Sequence, residues 1–456
     1  MATNLATQRL YDHIKRLLRR QAHSHVKKIL AKSHPADIAT VFRIFDEAEM
    51  QKLFSLVASS EKKAEIVSSL DYDLVPRLFS SLKIEEQVEI LEKATPDDLA
   101  DILAHIPEEM KNRVLEGLKK EEKAEVEGLM NYAENTAGGI MSPNFLSMDE
   151  ELTAKEAIEA LQKQSEEVEM AFYVYVINNV RQLVGVLSLR QLVTCRPDTK
   201  LKNLMDQKVV SVGAHDDQEE VAHLISRYDF LAVPVVDEVN TLVGIVTVDD
   251  IIDVLREEAT EDMLKMAGAG AKMVDAMSFG GSFRHRLPWL LITWIGESFT
   301  ALIIAYYHNT LTAILPLAAF IPMITGMSGN VGTQSATIVV RALATGRVNI
   351  GQIWKVLARE VLIGLLLGFV YGAALGVFGF VRYFDAVYMN SLMLGVVISS
   401  SLCLGMTLAA LVATAMPFIL HRFNLDPAAA TGPFVTTFCD IAGIAVYLSV
   451  ATVVLL

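Results

Sequence analysis

Cysteine is scarce in this chain, with three residues among 456, at Cys195, Cys403 and Cys439. Their number is odd, they are widely spaced, and two of them lie inside long apolar runs. These features argue against a disulfide framework and against a zinc site. We interpret all three as small hydrophobic residues of a packed interior.

The sequence signs of an enzyme are also missing. No phosphate-binding glycine loop with its lysine and no aspartyl-phosphate motif occurs, which argues against a pump driven directly by ATP. The ten histidines form no metal-binding cluster, and neither a nucleophile–histidine set nor a paired acid and base stands out. We therefore expect a protein that is not an enzyme, and transport that is downhill or coupled to an ion.

Positive charge is in deficit over the first two-thirds of the chain. Residues 1–283 carry 32 Lys and Arg against 49 Asp and Glu, whereas residues 284–456 carry 8 against 5. A strongly acidic soluble part argues against nucleic acid or an anionic lipid surface as its partner, because both require a basic patch, and favours cations. The N-terminus lacks the apolar stretch of a secretory signal, so we expect the soluble part to remain in the cytoplasm.

The pattern of apolar residues changes along the chain and predicts a multidomain membrane protein. Helical spacing predicts an all-α stack of short helices first, and two copies of a helix-plus-strand unit follow, with Gly185 and Gly244 at equivalent positions. These copies resemble a tandem pair of α/β CBS domains. We expect a connecting helix up to about Ala276 and then a glycine-rich flexible joint at 279–282. The predicted divisions are 1–135 (helical domain), 136–200 and 201–256 (CBS domains), 257–283 (connecting helix) and 284–456 (five-helix transmembrane domain).

Long apolar runs beyond Arg284 have the roughly 20 residues that a helix needs to cross a bilayer. We expect the second span to be broken at 325–332, where glycines are frequent. Placing the N-terminus inside leaves seven basic residues on the cytoplasmic side and one outside, which favours that orientation. The five predicted spans lie near 287–307, 313–343, 354–381, 389–420 and 432–454.

Four acids fall in or beside these spans, at Glu297, Glu360, Asp426 and Asp440. An Asp at the centre of a membrane helix costs roughly 2.5–3.5 kcal/mol, and the fifth span offers Asp440 no lysine or arginine. We therefore predict a functional role for Asp440, with hydrogen bonding to Thr436 or Thr437 as the structural alternative. Asp426 precedes Pro427 at a helix start, so a cap role and a role at the pore mouth both stay open.

Several motifs together resemble the MgtE magnesium channels of bacteria, and the resemblance covers essentially the whole chain. They include the Gly326 to Thr337 stretch, the Asp426-Pro427-Ala428 step, Gly432-Pro433 and Asp440-x-x-Gly443. The resemblance implies a homodimer with five spans per subunit in the bacterial inner membrane, the N-terminus in the cytoplasm, and Mg²⁺ as both transported and regulatory ion. It implies that Asp440 is the pore aspartate that selects hydrated Mg²⁺, with Gly326, Gly329 and Asn330 lining the pore.

The resemblance also implies a set of regulatory metal ligands. Gly139 matches a backbone ligand, and Asp426 matches a carboxylate at the pore mouth. The remaining matched acids are Asp97, Asp101, Asp217, Glu219, Asp229, Asp250, Asp253, Glu258, Glu261 and Asp262.

The spacing of these acids supports a gating hypothesis. Asp97 and Asp101 share a helix face, and Asp250 and Asp253 lie within one turn, so each pair repels unless a cation lies between them. Two carboxylates about 4 Å apart repel by around 4 kcal/mol at an effective dielectric constant near 20. Several such pairs would exceed the ~5.5 kcal/mol that moves a two-state switch from 1:99 to 99:1. We hypothesise that Mg²⁺ bridges the acids and closes the pore, although each acid taken alone is equally compatible with a solvated helix face.

Adenine nucleotide binding is a weaker expectation. Tyr173, Arg190 and Phe230 are compatible with adenine stacking and phosphate contact, but Gln191 replaces the acid that holds ribose in the first CBS repeat. Other functions stay open on the residues alone. They are transport of Co²⁺, Ni²⁺ or Mn²⁺, a Na⁺-coupled carrier, and a membrane-tethered ligand sensor that transports nothing.

Overall fold

The computed structural model describes residues 2–164, 172–268, 279–348, 350–384, 390–423 and 425–456. It divides into two compact units, Met1–Leu255 and Arg256–Leu456. The first unit contains ten short helices followed by a duplicated α/β region, and the second contains long apolar helices. The predicted fold class is thereby confirmed.

Short helices with capped starts form the N-terminal part of the first unit. Asp46 and Ser59 accept hydrogen bonds at helix N-termini, and Pro35 and Pro96 lie in first turns, where no backbone donor is needed. Alternate helices pack on one another, as α3 does on α5 and α5 on α7, which builds a layered helical stack. The helices are α1 (Ala2–Arg19), α2 (His23–Lys32), α3 (Pro35–Phe42), α4 (Glu47–Ser55), α5 (Ser60–Ser68), α6 (Val75–Phe79), α7 (Ile84–Leu91), α8 (Pro96–His105), α9 (Glu108–Gly117) and α10 (Lys120–Leu129).

Each of the two α/β repeats has a three-stranded sheet in which the first strand is parallel and the third antiparallel to the middle one. Both sheets carry a register shift at the same place, between Val176 and Ile177 and between Val235 and Val236. The first repeat contains β1 (Ser147–Asp149), α11 (Ala154–Gln164), β2 (Tyr173–Ile177), β3 (Leu183–Ser188) and α12 (Leu189–Thr194). The second contains β4 (Val212–Gly213), α13 (Gln218–Tyr228), β5 (Ala232–Val236), β6 (Leu242–Thr247) and α14 (Val248–Met266).

The segment before each repeat pairs with the third strand of the other repeat, which explains why both repeats have a glycine at the same position of that strand. Ser142, ahead of the first repeat, exchanges backbone hydrogen bonds with Ile245 of β6, and Asp206, ahead of the second, does so with Val186 of β3. A Cβ on Gly185 would overlap the sulfur of Met205, and one on Gly244 would lie 2.6 Å from that of Met141. Only glycine allows these methionines to cross the strands this closely.

The second unit is built around one central apolar helix, α19, which packs against α17, α18 and α20. Glycines spaced four apart on α18, from Gly364 to Gly376, bring its backbone against α19, as small residues do in membrane helix pairs. Its helices are α15 (Phe279–Tyr306), α16 (His308–Ala313), α17 (Pro316–Ala344), α18 (Ile353–Arg382), α19 (Ser391–Arg422) and α20 (Pro433–Leu455).

Five long helices therefore correspond to the five predicted spans, and the chain is a membrane protein. Among the described residues, four segments are both long and apolar enough to cross a bilayer: Gly280–Tyr306, Ile353–Arg382, Ser391–Arg422 and Pro433–Leu455. The remaining long helix, α17, is second in chain order; it is long enough to cross a bilayer but contains many polar and glycine residues.

Two predictions about this unit were wrong. The predicted break at 325–332 does not occur, because α17 is one continuous helix from Pro316 to Ala344 whose glycines serve close packing: a Cβ on Gly332 would lie 2.6 Å from the Cys439 sulfur. The predicted joint at 279–282 forms the first turn of α15.

The connecting helix also ends earlier than predicted. Helix α14 ends at Met266 because Gly268 adopts a left-handed conformation, with φ of +66°. The predicted helix between 269 and 276 lies outside the described residues. Gly432 allows close packing here, since a Cβ on it would lie 3.0 Å from the carbonyl oxygen of Met266.

Candidate cation sites

Four aspartates at the start of α8 and the start of α14 form the first candidate site, which we call the α8 acid cluster (Asp97, Asp98, Asp101 and Asp250). Asp97 and Asp98 lie in the first turn of α8, directly after Pro96, where the helix dipole favours negative charge. Asp101 follows one turn later, and the Tyr72 hydroxyl donates a hydrogen bond to it at 3.3 Å.

Asp250 joins this cluster from the second CBS repeat. Thr247 ends β6, and its hydroxyl donates a hydrogen bond to the Asp250 carboxylate, which holds that side chain at the first turn of α14. Burial raises the pKa of Asp250 to about 7, and the negative charges of Asp249, Asp97 and Asp98 add to this rise against the Thr247 hydrogen bond. The α8 aspartates and Asp250 are therefore close enough to repel.

Two further carboxyls of the cluster, those of Asp101 and Asp97, have pKa values raised for the same reason. Burial raises the pKa of Asp101 to about 7, with Asp98 and Asp97 adding to the effect of burial. Burial and the charge of Asp98 also raise the pKa of Asp97. A rise in the pKa of a carboxyl group means that its surroundings disfavour the negative charge.

No lysine or arginine compensates these charges within the described part of the chain, since no ion pair there includes a member of the cluster. One oxygen of Asp97, Oδ1, is buried without a hydrogen-bond partner among these residues. A buried carboxylate oxygen without a donor fits a cation or a cation-bound water. Sequence reasoning missed Asp98, although its place beside Asp97 in the first turn of α8 was the available signal.

Four more predicted ligands of the first unit lie around α13. Asp217 caps this helix by accepting a hydrogen bond from the Glu219 amide at 2.8 Å, and Thr136 forms a β-bridge with Asp217, which brings the Gly139 turn to the same end. Asp229 ends the helix in a left-handed conformation, with φ of +53°. Eleven helical residues span about 16 Å, so Asp229 is separated from Asp217 and Glu219 within one chain.

A second candidate site lies at the end of α14, and we call it the α14 acid cluster (Glu258, Glu261, Asp262 and Asp426). It differs from the first because Lys265 lies inside it, in contact with Glu261 and at 2.5 Å from Asp426. Burial would lower the pKa of Lys265, but its hydrogen bonds to Asp426 and Glu261 outweigh burial and raise it. Burial and the Asp426 carboxylate raise the pKa of Asp262 to about 6.

Asp426 has the cap role that its sequence position left open, whereas its role at the pore mouth stays a prediction. Its Oδ1 accepts a hydrogen bond from the Ala428 amide at 2.8 Å and caps the short helix Pro427–Ala430, while Oδ2 faces Lys265. Lys265 was missed by sequence reasoning, although its place four residues after Glu261 was a usable signal. Asp253, by contrast, is exposed on the first half of α14.

Asp440 lies on α20, facing α17 and α15. It is partly buried, and a Cβ on Gly329 would lie 3.8 Å from its Oδ1, so the glycine leaves room beside the carboxylate. Its carboxyl group is also within hydrogen-bonding reach of Glu297 on α15. The predicted pore residues Gly329 and Asp440 are thus neighbours.

One face of α17 is polar and exposed, the reverse of what lipid contact requires. Its buried face carries Phe320, Ile324 and Val331, which pack on the rest of the unit. Polar side chains at membrane depth face protein or a water-filled path. The polar and glycine positions outside the packed interior recur along the opposite side at Gly326, Asn330, Thr333, Gln334, Thr337 and Arg341.

Glu360 has partners of its own. It is 2% exposed, accepts a hydrogen bond from the Ser335 hydroxyl at 3.1 Å, and pairs with Arg359 at 3.0 Å. These contacts join α17 to α18, which gives Glu360 a structural role.

The nucleotide-site candidates lie on the two repeats of the first unit. Tyr173 begins β2 beside Ser188, Arg190 is exposed on α12, and Phe230 stacks on Tyr228 with ring centroids 5.4 Å apart. Gln191 is engaged in a capping box, in which its Oε1 accepts hydrogen bonds from the Ser188 amide at 2.7 Å and hydroxyl at 2.8 Å. Asp250 occupies the equivalent place in the second repeat. Each of these two residues accepts a hydrogen bond from the hydroxyl group three positions earlier, Ser188 at the end of β3 and Thr247 at the end of β6.

Within the described ranges, no group of three or more His, Cys, Asp or Glu side chains is arranged to hold a metal ion directly. The carboxylates instead lie in pairs and looser clusters. This arrangement suits an ion that keeps most of its waters and uses one or two carboxylates, as Mg²⁺ does.

Known families match four stretches of the chain, in the order predicted from the sequence. A family described as MgtE, divalent cation transporter, matches residues 321–450, the MgtE intracellular N domain matches 33–135, and the CBS domain matches 137–198 and 201–257. The magnesium transporter MgtE of Bacillus subtilis is 35% identical over 419 residues, covering 92% of this chain and 91% of the relative. The magnesium transporter MgtE of Thermus thermophilus is 36% identical over 427 residues, covering 92% and 93%.

Two solved structures are similar to the soluble part. The crystal structure of the cytosolic domain of the Mg²⁺ channel MgtE in complex with ATP is 35% identical, with a TM-score of 0.51, and covers 54% of this chain and 99% of that one. The crystal structure of the soluble part of a magnesium transporter is 32% identical, with a TM-score of 0.50, and covers 56% and 99%.

Proposed function

The chain belongs to the MgtE family of magnesium transporters, and from that premise we propose that it carries Mg²⁺ across the membrane along a path that passes Asp440. The observation that carries this proposal is a carboxylate at membrane depth beside Gly329, with no lysine or arginine paired to it among the described residues. Such a residue is costly unless an ion uses it. The ion moves down its gradient or is coupled to another ion, because the sequence lacks the machinery of an ATP-driven pump.

The path lies along the polar face of α17. In a single chain that face would meet lipid, where its amides and hydroxyls find no partners. A second copy of the chain covers it in the proposed homodimer, with Gly326, Asn330 and Asp440 towards the path. Small residues at Gly326 and Gly329 leave width for an ion with its waters.

Cytoplasmic Mg²⁺ closes the path in this proposal. The α8 acid cluster joins the helical stack to the second CBS repeat through like charges, and burial together with the neighbouring carboxylates raises the pKa values of Asp101 and Asp250. Mg²⁺ between Asp97 and Asp250 replaces repulsion by attraction. Because α14 carries Asp250 at its start and Glu261 and Asp262 towards its end, one helix links both clusters.

The N-terminal unit lies on the cytoplasmic side of the inner membrane in this proposal, supported by the excess of Arg and Lys next to the spans on that side. ATP is a candidate second ligand of the CBS pair, since a relative's cytosolic domain was crystallised with ATP. Here Gln191 offers an amide that already caps α12, so ribose recognition in the first repeat lacks a free acid.

Mg²⁺ uptake into cells that lack their own Mg²⁺ entry systems tests the proposal. We expect the wild-type chain to restore uptake and growth, and Asp440→Asn to abolish both while reaching the membrane in equal amount. Competition by Co²⁺, Ni²⁺, Mn²⁺ and Na⁺ in the same assay separates the alternative cargoes. Equal uptake by the wild type and Asp440→Asn would refute the path, and no uptake by either would refute transport.

A further inference from the structure

Helices α15 and α20 run parallel and in close contact. A ring contact joins Trp289, in the first half of α15, to Phe434 at the start of α20, and a hydroxyl contact joins Tyr307, just after α15, to Ser449. Between these points Gly296 meets Thr437 so closely that a Cβ on the glycine would overlap the threonine Cγ2. The glycine therefore fixes which residues of α15 face α20.

Glu297, the next residue, meets Asp440 at this contact. Their carboxyl groups are within hydrogen-bonding reach, and neither forms an ion pair with a basic residue in the part of the chain that the structure describes. Glu297 lies 11 residues after Arg286, about 16 Å along the helix, which places it near the middle of a ~30 Å hydrocarbon core. Two carboxylates at this depth need a shared positive charge.

Two buried hydroxyls flank the carboxylate pair along the same interface. Thr437 lies one turn before Asp440 on α20, and Thr300 lies one turn after Glu297 on α15. They are 7% and 6% exposed, and neither Oγ1 has a hydrogen-bond partner among the described residues. The Oγ1 of Thr437 would lie 3.5 Å from a Cβ on Gly296, directly before Glu297. Unpartnered hydroxyls beside two carboxylates suit a hydrated cation, whose waters both donate and accept hydrogen bonds.

We propose that Glu297 is a second acidic residue of the ion path, which forms with Asp440 a two-carboxylate subsite that favours divalent over monovalent cations. The inference rests on the proposed transport of Mg²⁺ and extends it. Two negative charges match one divalent ion, whereas one carboxylate discriminates less between Mg²⁺ and K⁺. Thr437 and Thr300 hold waters of the ion at either end of the subsite.

Flux into liposomes that contain the purified full chain tests this role. For Glu297→Gln, which keeps the shape and removes the charge, we expect the Mg²⁺ concentration for half-maximal flux to rise about tenfold, which corresponds to roughly 1.4 kcal/mol, and K⁺ flux to appear. Glu297→Asp should keep the exclusion of K⁺. The matched control is Ser298→Ala, at the residue next to Glu297. The Ser298 hydroxyl donates a hydrogen bond to the Trp294 carbonyl oxygen of its own helix, so this variant should behave as wild type.

The outcomes separate this inference from the proposed function. Glu297→Gln with wild-type half-saturation and no K⁺ flux, or Glu297→Asp behaving like Glu297→Gln, would overturn the subsite while leaving Mg²⁺ transport intact. A wild-type protein that passes no Mg²⁺ would refute the proposed function itself.

A second variant covers the case in which Glu297→Gln does not fold. Thr300→Val removes a hydroxyl that has no protein partner among the described residues, so a purely structural role predicts unchanged or higher stability and unchanged flux. The subsite predicts a severalfold rise in the half-saturating Mg²⁺ concentration instead. Unchanged half-saturation in Thr300→Val would count against it.

Discussion

The two acid clusters of α14 differ in one respect, the presence of a built-in cation. At its start, Asp250 meets the α8 aspartates without any lysine or arginine paired to them in the described residues, and the pKa values of Asp101 and Asp250 rise to about 7. Towards its end, Lys265 lies between Glu261 and Asp426, which holds the acids together without help. The difference suggests our proposal that the first cluster needs an external cation for its cohesion, whereas Lys265 already links two acids of the second.

The largest effect should follow from removing charge at the uncompensated cluster. We expect the double variant Asp97→Asn with Asp250→Asn to abolish Mg²⁺-dependent protection of the soluble part, because its repulsion disappears together with its affinity for the ion. Limited proteolysis of the full chain with and without millimolar Mg²⁺ measures this. The matched control is Asp198→Asn, at an exposed acid outside the predicted ligand set, and undiminished Mg²⁺ protection in the double variant would contradict the assignment.

A smaller and opposite effect is expected at the compensated cluster. Replacing Lys265 by Met removes the internal cation, so Glu261, Asp262 and Asp426 should then recruit Mg²⁺ more tightly. We expect the Mg²⁺ concentration that gives half of the thermal stabilisation to fall severalfold, about 1 kcal/mol in binding free energy. The variant Lys32→Met, at an exposed lysine of α2, should leave it unchanged. A rise in this half-stabilising Mg²⁺ concentration after Lys265→Met would contradict the expectation, because it would show that the lysine favours Mg²⁺ binding.

The smallest effect is a pH dependence, to which the first cluster contributes two carboxyls of raised pKa and the second contributes Asp262. The pKa values of Asp101 and Asp250 are raised in the folded state, so the folded chain binds more protons than the unfolded chain between about pH 4 and 7. Stability without Mg²⁺ should therefore fall as the pH rises through this window, and Mg²⁺ should restore it most strongly near pH 8. Thermal unfolding of the full chain at several pH values measures this, with Asp97→Asn and Asp250→Asn together as the control. Equal Mg²⁺ stabilisation at pH 5.5 and pH 8 would contradict the assignment.

The elements of the fold were largely predictable from the sequence. The two predicted helix-plus-strand units form two matching three-stranded sheets, because a short β-branched and aromatic run bounded by polar residues, such as Tyr173–Ile177, has few alternatives. The continuity of α17 was not predictable from local propensity, since its glycines are compensated by packing on α20. The early end of α14 depends on a single left-handed glycine, and a glycine-rich segment does not reveal which glycine adopts that conformation.

The acids of the candidate sites could be named from the sequence, whereas their grouping could not. Asp97 and Asp250 were each identified, but their proximity depends on how the helical stack meets the second CBS repeat, which no local pattern encodes. Glu297 was recognised as an acid in a span, while its contact with Asp440 follows from the fit of Gly296 against Thr437. Tertiary packing therefore supplied the partners that spacing could not.

The central claim is that Mg²⁺ at the uncompensated cluster closes a path through Asp440. The most direct measurement is Mg²⁺ flux through the full chain in liposomes under a fixed gradient, with the Mg²⁺ concentration on the side of the soluble domains raised into the millimolar range. The account predicts that wild-type flux then falls about tenfold or more, and that the Asp97→Asn, Asp250→Asn double variant keeps its flux. Wild-type flux that does not respond to Mg²⁺ on that side would contradict it.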